Sequence, residues 1–114
     1  MYPYSGVIPN LLLKNSNTPK AMLKPDRVVS LTCSVFGIPK QMIFNRGRSM
    51  PFVMARQMAM SLLRSNTNMT LKEIGIFFGD YDHTTVLHSC VAVSNMLDTD
   101  KKLRDLYYSI EQNL

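Results

Sequence analysis

The segment TLKEIGIFFGDYDHTTVLHSC, residues 70 to 90, constrains the fold more than any other part of the chain. Thr70 and Glu73 have the spacing of a capping box. The threonine hydroxyl accepts from the backbone N–H three residues on, and the glutamate carboxylate reaches back to the N–H of the cap. That pair opens a helix carrying Leu71, Ile74, Phe77 and Phe78, which Gly79 terminates. Only the connection GDYD intervenes before a further helix starts near His83, with Asp82 in the position of its N-cap. The segment therefore reads as two helices joined by a turn of about four residues.

The remaining chain carries helix signals of the same kind. Pro25 and Asp26 suit a first turn, and Val28, Val29, Leu31, Thr32, Val35 and Phe36 continue it to Gly37. Pro39 opens a short helix through about Phe44, and NRGRS (45 to 49) is a basic loop with Gly47 as its flexible point. From Pro51, PFVMARQMAMSLLRS places Phe52, Ala55, Met58, Ala59, Leu62 and Leu63 on one arc, with Gln57, Ser61 and Arg64 opposite. Beyond Leu97, DTDKKLRDLYYSIEQNL supplies a last helix with Leu103, Leu106, Tyr107 and Ile110 as its apolar stripe. No repeat, low-complexity tract or alternating pattern is present. The expectation is an all-α compact domain of six helices over residues 25 to 114, preceded by an arm or linker at 1 to 24 with one apolar patch, Leu11 to Leu13.

Size and charge narrow the function. A chain of 114 residues, 46% hydrophobic, makes one modest domain and leaves no room for a separate motor or catalytic module. Its net charge of +5 is segregated: from Arg27 to Lys72 there is no acidic residue, while Arg27, Lys40, Arg46, Arg48, Arg56, Arg64 and Lys72 are basic. A segregated basic region points to a polyanion, nucleic acid before anionic membrane, against the plainer reading of a solvated basic surface. Cys33 and Cys90 lie among apolar neighbours without CxxC spacing and read as reduced core residues. MYPYSGVIPN lacks a signal-peptide pattern, and no stretch reaches the ~20 apolar residues of a membrane span. A cytoplasmic protein without membrane association is expected.

Three chemistries fail on geometry. His83 and His88, five residues apart, diverge by roughly 140° around a helix, whereas a helical zinc pair needs i, i+4 and a third ligand. Ser89 beside His88 cannot form a nucleophile–base pair on a regular helix. Gly75 and Gly79 have no GK[ST] behind them and do not match a phosphate-cradling loop. No metal, cofactor, nucleotide or catalytic site is expected, and the chain does not read as an enzyme.

A contact surface remains. Projected as a helix from His83, Val86, Leu87, Cys90, Val91, Val93 and Leu97 fall inward, and Thr84, Thr85, His88, Ser89, Ala92 and Asn95 outward. The outward face offers small hydroxyls and an imidazole with no long charged side chains to hold a partner away. Threonine presents both a hydroxyl and a methyl, suited to base edges and thymine methyls, and Asp82 can accept from a cytosine amino group. Spacing alone fits an ordinary antiparallel helix pair as well as a helix-turn-helix; the basic region ahead of it favours the second.

MARQMAMSLL (54 to 63), TLKEIGIFFGDYDHTTVLHSC (70 to 90) and RGRS (46 to 49) together resemble the C-terminal DNA-binding domain of the bacterial replication initiator family DnaA, over about residues 25 to 112. The resemblance implies a Trp-repressor-like helical domain that binds a short duplex site, the DnaA box, as its double-stranded DNA partner. It further implies that Arg48 enters the minor groove from the basic loop it shares with Arg46. Asp82, His83, Thr84 and Thr85 would meet bases or phosphates in the major groove, and Arg56, Gln57, Lys72 and His88 would contact the backbone. Affinity would come mainly from Arg46, Arg48, Arg56, Arg64 and Lys72; with about four engaged, log affinity falls with log salt at a slope of roughly −3.6.

Two departures from the family pattern stand out. Gly79, Asp80 and Tyr81 occupy the place of its usual Gly-Gly-Arg, and Met50 stands where another basic residue is common. Without the family's ATP-driven module, the expected role is a stand-alone reader acting in replication or its regulation, with a phage or mobile element as one setting. The alternative expectation is a protein-interaction module, with a replication or host protein as partner, or a nonspecific DNA binder that keeps the fold.

Overall fold

The computed structural model describes residues 23 to 114; the arm expected at 1 to 24, with Leu11 to Leu13, lies almost wholly outside the described residues. Helix α1, Pro25–Phe36, has proline in its first turn and ends on Gly37 at φ 67°, whose N–H bonds the carbonyls of Cys33 and Ser34. This left-handed closing residue is the conformation glycine adopts without a Cβ penalty. Behind Pro39, the expected second helix is a single 3-10 segment, Lys40–Phe44. Then follow α2, Phe52–Asn66, α3, Leu71–Phe77, α4, His83–Thr99, and α5, Lys101–Gln112. Asp100 separates the last two and caps α5, accepting from Leu103 N at 3.2 Å. No strand occurs among the described residues, so the all-α expectation holds there.

Helix α2 is the axis of the domain and packs against each of the other four helices. Ala55, Met58, Ala59, Leu62 and Leu63 are buried on it as the periodicity implies, together with Val28 and Val29 of α1, Val86, Val93 and Leu97 of α4, and Ile110 of α5. Its opposite side is partly covered as well, which the projection did not show, although Arg64 stays exposed there as expected. Ser61, expected outward, is buried with its hydroxyl 3.3 Å from the Tyr107 hydroxyl, and Asn66 donates to Glu111 at 3.0 Å. Polar residues on the covered part of a helix persist where a neighbour pairs them, and α5 supplies the partners of Ser61 and Asn66. A cluster of Phe44, Phe77 and Phe78, with ring centroids 5.1 to 5.7 Å apart, ties the 3-10 segment to α3. That cluster delivers the following basic loop next to the turn between α3 and α4.

Candidate nucleic-acid interface

Both bonds of the capping box form: Thr70 N donates to Glu73 Oε1 at 2.8 Å, and Glu73 N to Thr70 Oγ1 at 3.1 Å. At the other end of α3 the chain turns back on the helix itself. Gly79 stands at φ 112° and Asp80 at φ 63°, and Tyr81 N donates to the Gly75 carbonyl at 3.0 Å. Aspartate is among the few side chains that tolerate the left-handed region. The turn lies so close to α3 that a Cβ on Gly75 would fall 2.1 Å from the Tyr81 carbonyl oxygen. Gly75 is therefore a spacer that lets the turn pack onto α3.

The turn ends at Asp82, which caps α4 as its position implies. Its carboxylate accepts from Thr84 N at 3.0 Å and also from the Thr84 hydroxyl. These two bonds, the hydroxyl first, hold the Asp82 carboxyl below the usual carboxylate range, with a smaller contribution from His83, whose Nδ1 is 3.5 Å away. Because the folded-state value is lowered, the cap's contribution is present above the ordinary carboxylate range and is lost as pH falls through the lowered value. Asp82→Ala should accordingly speed amide hydrogen exchange at Thr84 and Thr85 while leaving α2 protected; unchanged exchange would show that the cap is not needed.

Capping fixes what α4 presents. The Thr84 hydroxyl proton is directed at Asp82, leaving its methyl and oxygen lone pairs outward. His83, Thr85 and His88 are exposed, and neither Thr85 nor His88 has a hydrogen-bond partner among the described residues. The face differs from the projection at three positions. Ser89, expected outward, is buried, whereas Leu87 and Val91, expected inward, are 37% and 50% exposed. The buried strip is centred on Val86, Val93 and Leu97. Relative to that line Leu87 and Val91 lie on one flank, beyond the cover of the neighbouring helices.

Burial also sorts the cations that the sequence grouped together. Arg56 of α2, expected as a backbone contact, is only 7% exposed; its Nη1 donates to the Asn45 carbonyl and its Nη2 to the Gly47 carbonyl at 3.2 Å. Arg46 donates to the Gly79 carbonyl and stacks on Tyr81, with its Cζ 4.2 Å from the ring centroid. Lys40 pairs with Asp26, Arg27 donates to the Asn113 carbonyl, and Arg64 lies against Cys90. Arg48 and Lys72 are exposed and carry no hydrogen bond or ion pair among the described residues. Gln57 is half-buried on α2. The structure thus brings Arg46 and Arg56 to the Tyr81 ring in the turn that leads into Asp82, His83, Thr84 and Thr85, and no hydrogen bond or ion pair links Arg48, Gln57, Lys72 or His88 to that group.

A short helix, a turn folded onto it and a second helix with a capped, exposed leading edge make up a helix-turn-helix. The model of the bacterial dnaA protein helix-turn-helix matches residues 25–93. The chain belongs to this family. It is 39% identical over 85 residues to the chromosomal replication initiator protein DnaA of Synechococcus sp. (strain JA-2-3B'a(2-13)), an alignment covering 75% of this chain and 18% of that protein. The DnaA of Herpetosiphon aurantiacus is 42% identical over 79 residues, 69% of this chain and 17% of the relative. That of Bacteroides fragilis (strain YCH46) is 35% identical over 86 residues, 75% and 18% respectively. The chain therefore spans less than a fifth of the length of these relatives.

Around the family's helix-turn-helix, other chemistry is sparse. Both cysteines are free, and burial pushes their thiols up, Cys90 despite the nearby Arg64, which makes them poor nucleophiles. Among the described residues no group of three metal-ligating side chains assembles, and no helix is long and apolar enough to cross a membrane. Sequence reasoning missed the parts played by Gly75 and the Tyr81 ring. A glycine inside a helix costs about 1 kcal/mol relative to alanine, so its presence between Ile74 and Ile76 was itself a signal of close packing.

Proposed function

We propose that this domain reads a specific duplex DNA site of the DnaA-box type, in replication initiation or its control. The observation that carries the reading is the placement of the basic loop. Arg46 meets both Gly79 and Tyr81, so the loop bearing Arg48 adjoins the leading edge of α4. This supports Arg48 as the minor-groove side chain and Thr85, His83 and the Thr84 methyl as the major-groove set, the division of labour of a helix-turn-helix with an accessory arm. Family membership and the name of the relatives, chromosomal replication initiator, support the biological setting.

The test is selection from randomised duplexes at moderate salt. An enriched motif is the expected result, with Thr85→Ala relaxing discrimination more than it weakens nonspecific binding. If Arg48 and Lys72 are the cations engaged, log affinity falls with log salt at a slope of roughly −1.8, half the slope that four engaged cations would give. Binding without enrichment would leave only a nonspecific DNA role. One observation favours a second reading, a protein-interaction module: Leu87 and Val91 lie one helical turn apart and exposed on α4. Failure to bind any duplex would favour that reading.

A further inference from the structure

Two guanidinium groups converge on one aromatic ring at the turn. Arg46 Cζ lies 4.2 Å and Arg56 Cζ 5.5 Å from the centroid of Tyr81. Each arginine also donates to backbone carbonyls: Arg46 to Gly79, Arg56 to Asn45 and Gly47. The loop is thus held from within by Arg56, and it grips the helix-turn-helix through Arg46. The Tyr81 hydroxyl is buried and has no hydrogen-bond partner among the described residues, so the ring face, not the phenol, is what this arrangement uses. A ring face attracts cations and lets a guanidinium lie flat while its edge still donates.

We propose that Tyr81 is a positioning residue: its ring clamps Arg46 to the turn, so that the basic loop and the recognition helix form one preorganised reading unit. Arg46 is thereby withdrawn from phosphate neutralisation, and Arg48 is the loop's groove-facing arginine. The role assigned to Arg48 rests on the DNA-reading function proposed above; the clamp itself is a property of the free domain. A loop held in its bound geometry binds more tightly because less freedom is lost on association.

The experiment compares Tyr81→Phe, Tyr81→Leu, Arg46→Met, Arg48→Met and the Tyr81→Leu/Arg46→Met double variant. Two quantities are read: urea stability of the free protein, and affinity against salt for the duplex enriched by selection. Tyr81→Phe should match the wild type in affinity and salt slope and be at least as stable, because the hydroxyl has no bond to lose and its removal relieves a buried polar group without a partner. Tyr81→Leu should lower affinity about tenfold at an unchanged salt slope, between what an exposed and a desolvated cation–π contact are worth. Arg46→Met should do the same, and the double variant should lose no more than the worse single one. Arg48→Met alone should flatten the slope by about 0.9. The proposal is overturned if Arg46→Met flattens the slope as much as Arg48→Met, or if the losses from Tyr81→Leu and Arg46→Met add in full. If the wild type enriches no duplex, the DNA-reading function falls and the stability cycle decides the clamp: non-additive losses uphold it and additive losses overturn it.

Discussion

Replacing Gly75 with alanine should destabilise the domain by about 3 kcal/mol, at the upper end of the range for inserting one methyl group into a packed site. Two effects of opposite sign compete. Alanine is the better helix former by about 1 kcal/mol, and it restricts the unfolded chain as well. Against this, the new Cβ would sit 2.1 Å from the Tyr81 carbonyl oxygen, a backbone atom with no rotamer to escape into, and 3.5 Å from a Val86 methyl, an ordinary contact. The steric term wins because relieving it requires the turn to move off α3, which breaks the Tyr81 N to Gly75 carbonyl bond. Gly47→Ala is the control: its Cβ would meet only the Asn45 side chain, Oδ1 at 3.3 Å and Cγ at 3.9 Å, on an exposed loop where changes of this kind stay within about 0.5 kcal/mol. Urea midpoints of the two variants measure the difference, and equal midpoints would show that α3 and the turn are not in the close contact described.

The same turn shows which features can be read from a sequence. Helix limits were legible because they are written locally: Pro25 acts through its fixed φ, and Gly37, the Thr70–Glu73 box and Asp82 act through bonds to residues two to four positions away. The rotation of α4 was not. Apolar residues extend around more of its circumference than its neighbours cover, so periodicity alone could not decide between Leu87 and Ser89, and the core closed over the serine. Arg56 illustrates the same limit for charge. A cation counted along the chain looks like surface, and only the fold shows that this one lies beneath a loop whose carbonyls it holds. Tyr81 looked like a missing cation; in the structure it is the surface on which two existing cations rest. In each case the deciding partner lies elsewhere in the chain: eleven residues separate Arg56 from Asn45, and Arg46 reaches across 33 to Gly79.

Arg56→Met should cost the free domain about 2–4 kcal/mol, since it removes two charge-assisted bonds, each worth about 1.5–3 kcal/mol, to carbonyls of a loop that water still reaches. Methionine keeps much of the apolar stem, so the loss reports the guanidinium and its two carbonyl partners rather than packing. Arg56→Lys should fall between, because one ammonium is a point charge and does not reproduce the planar fork that reaches the Asn45 and Gly47 carbonyls together. With the loop released, affinity for DNA should drop for all sequences, yet the salt slope should stay as it was, because Arg56 at 7% exposure neutralises no phosphate. A direct backbone contact, the role implied by the resemblance, gives the opposite pair of results: full stability without DNA and a slope flatter by about 0.9. Denaturation and a salt titration on the same variant therefore separate an arginine that builds the reading loop from one that touches what the loop reads.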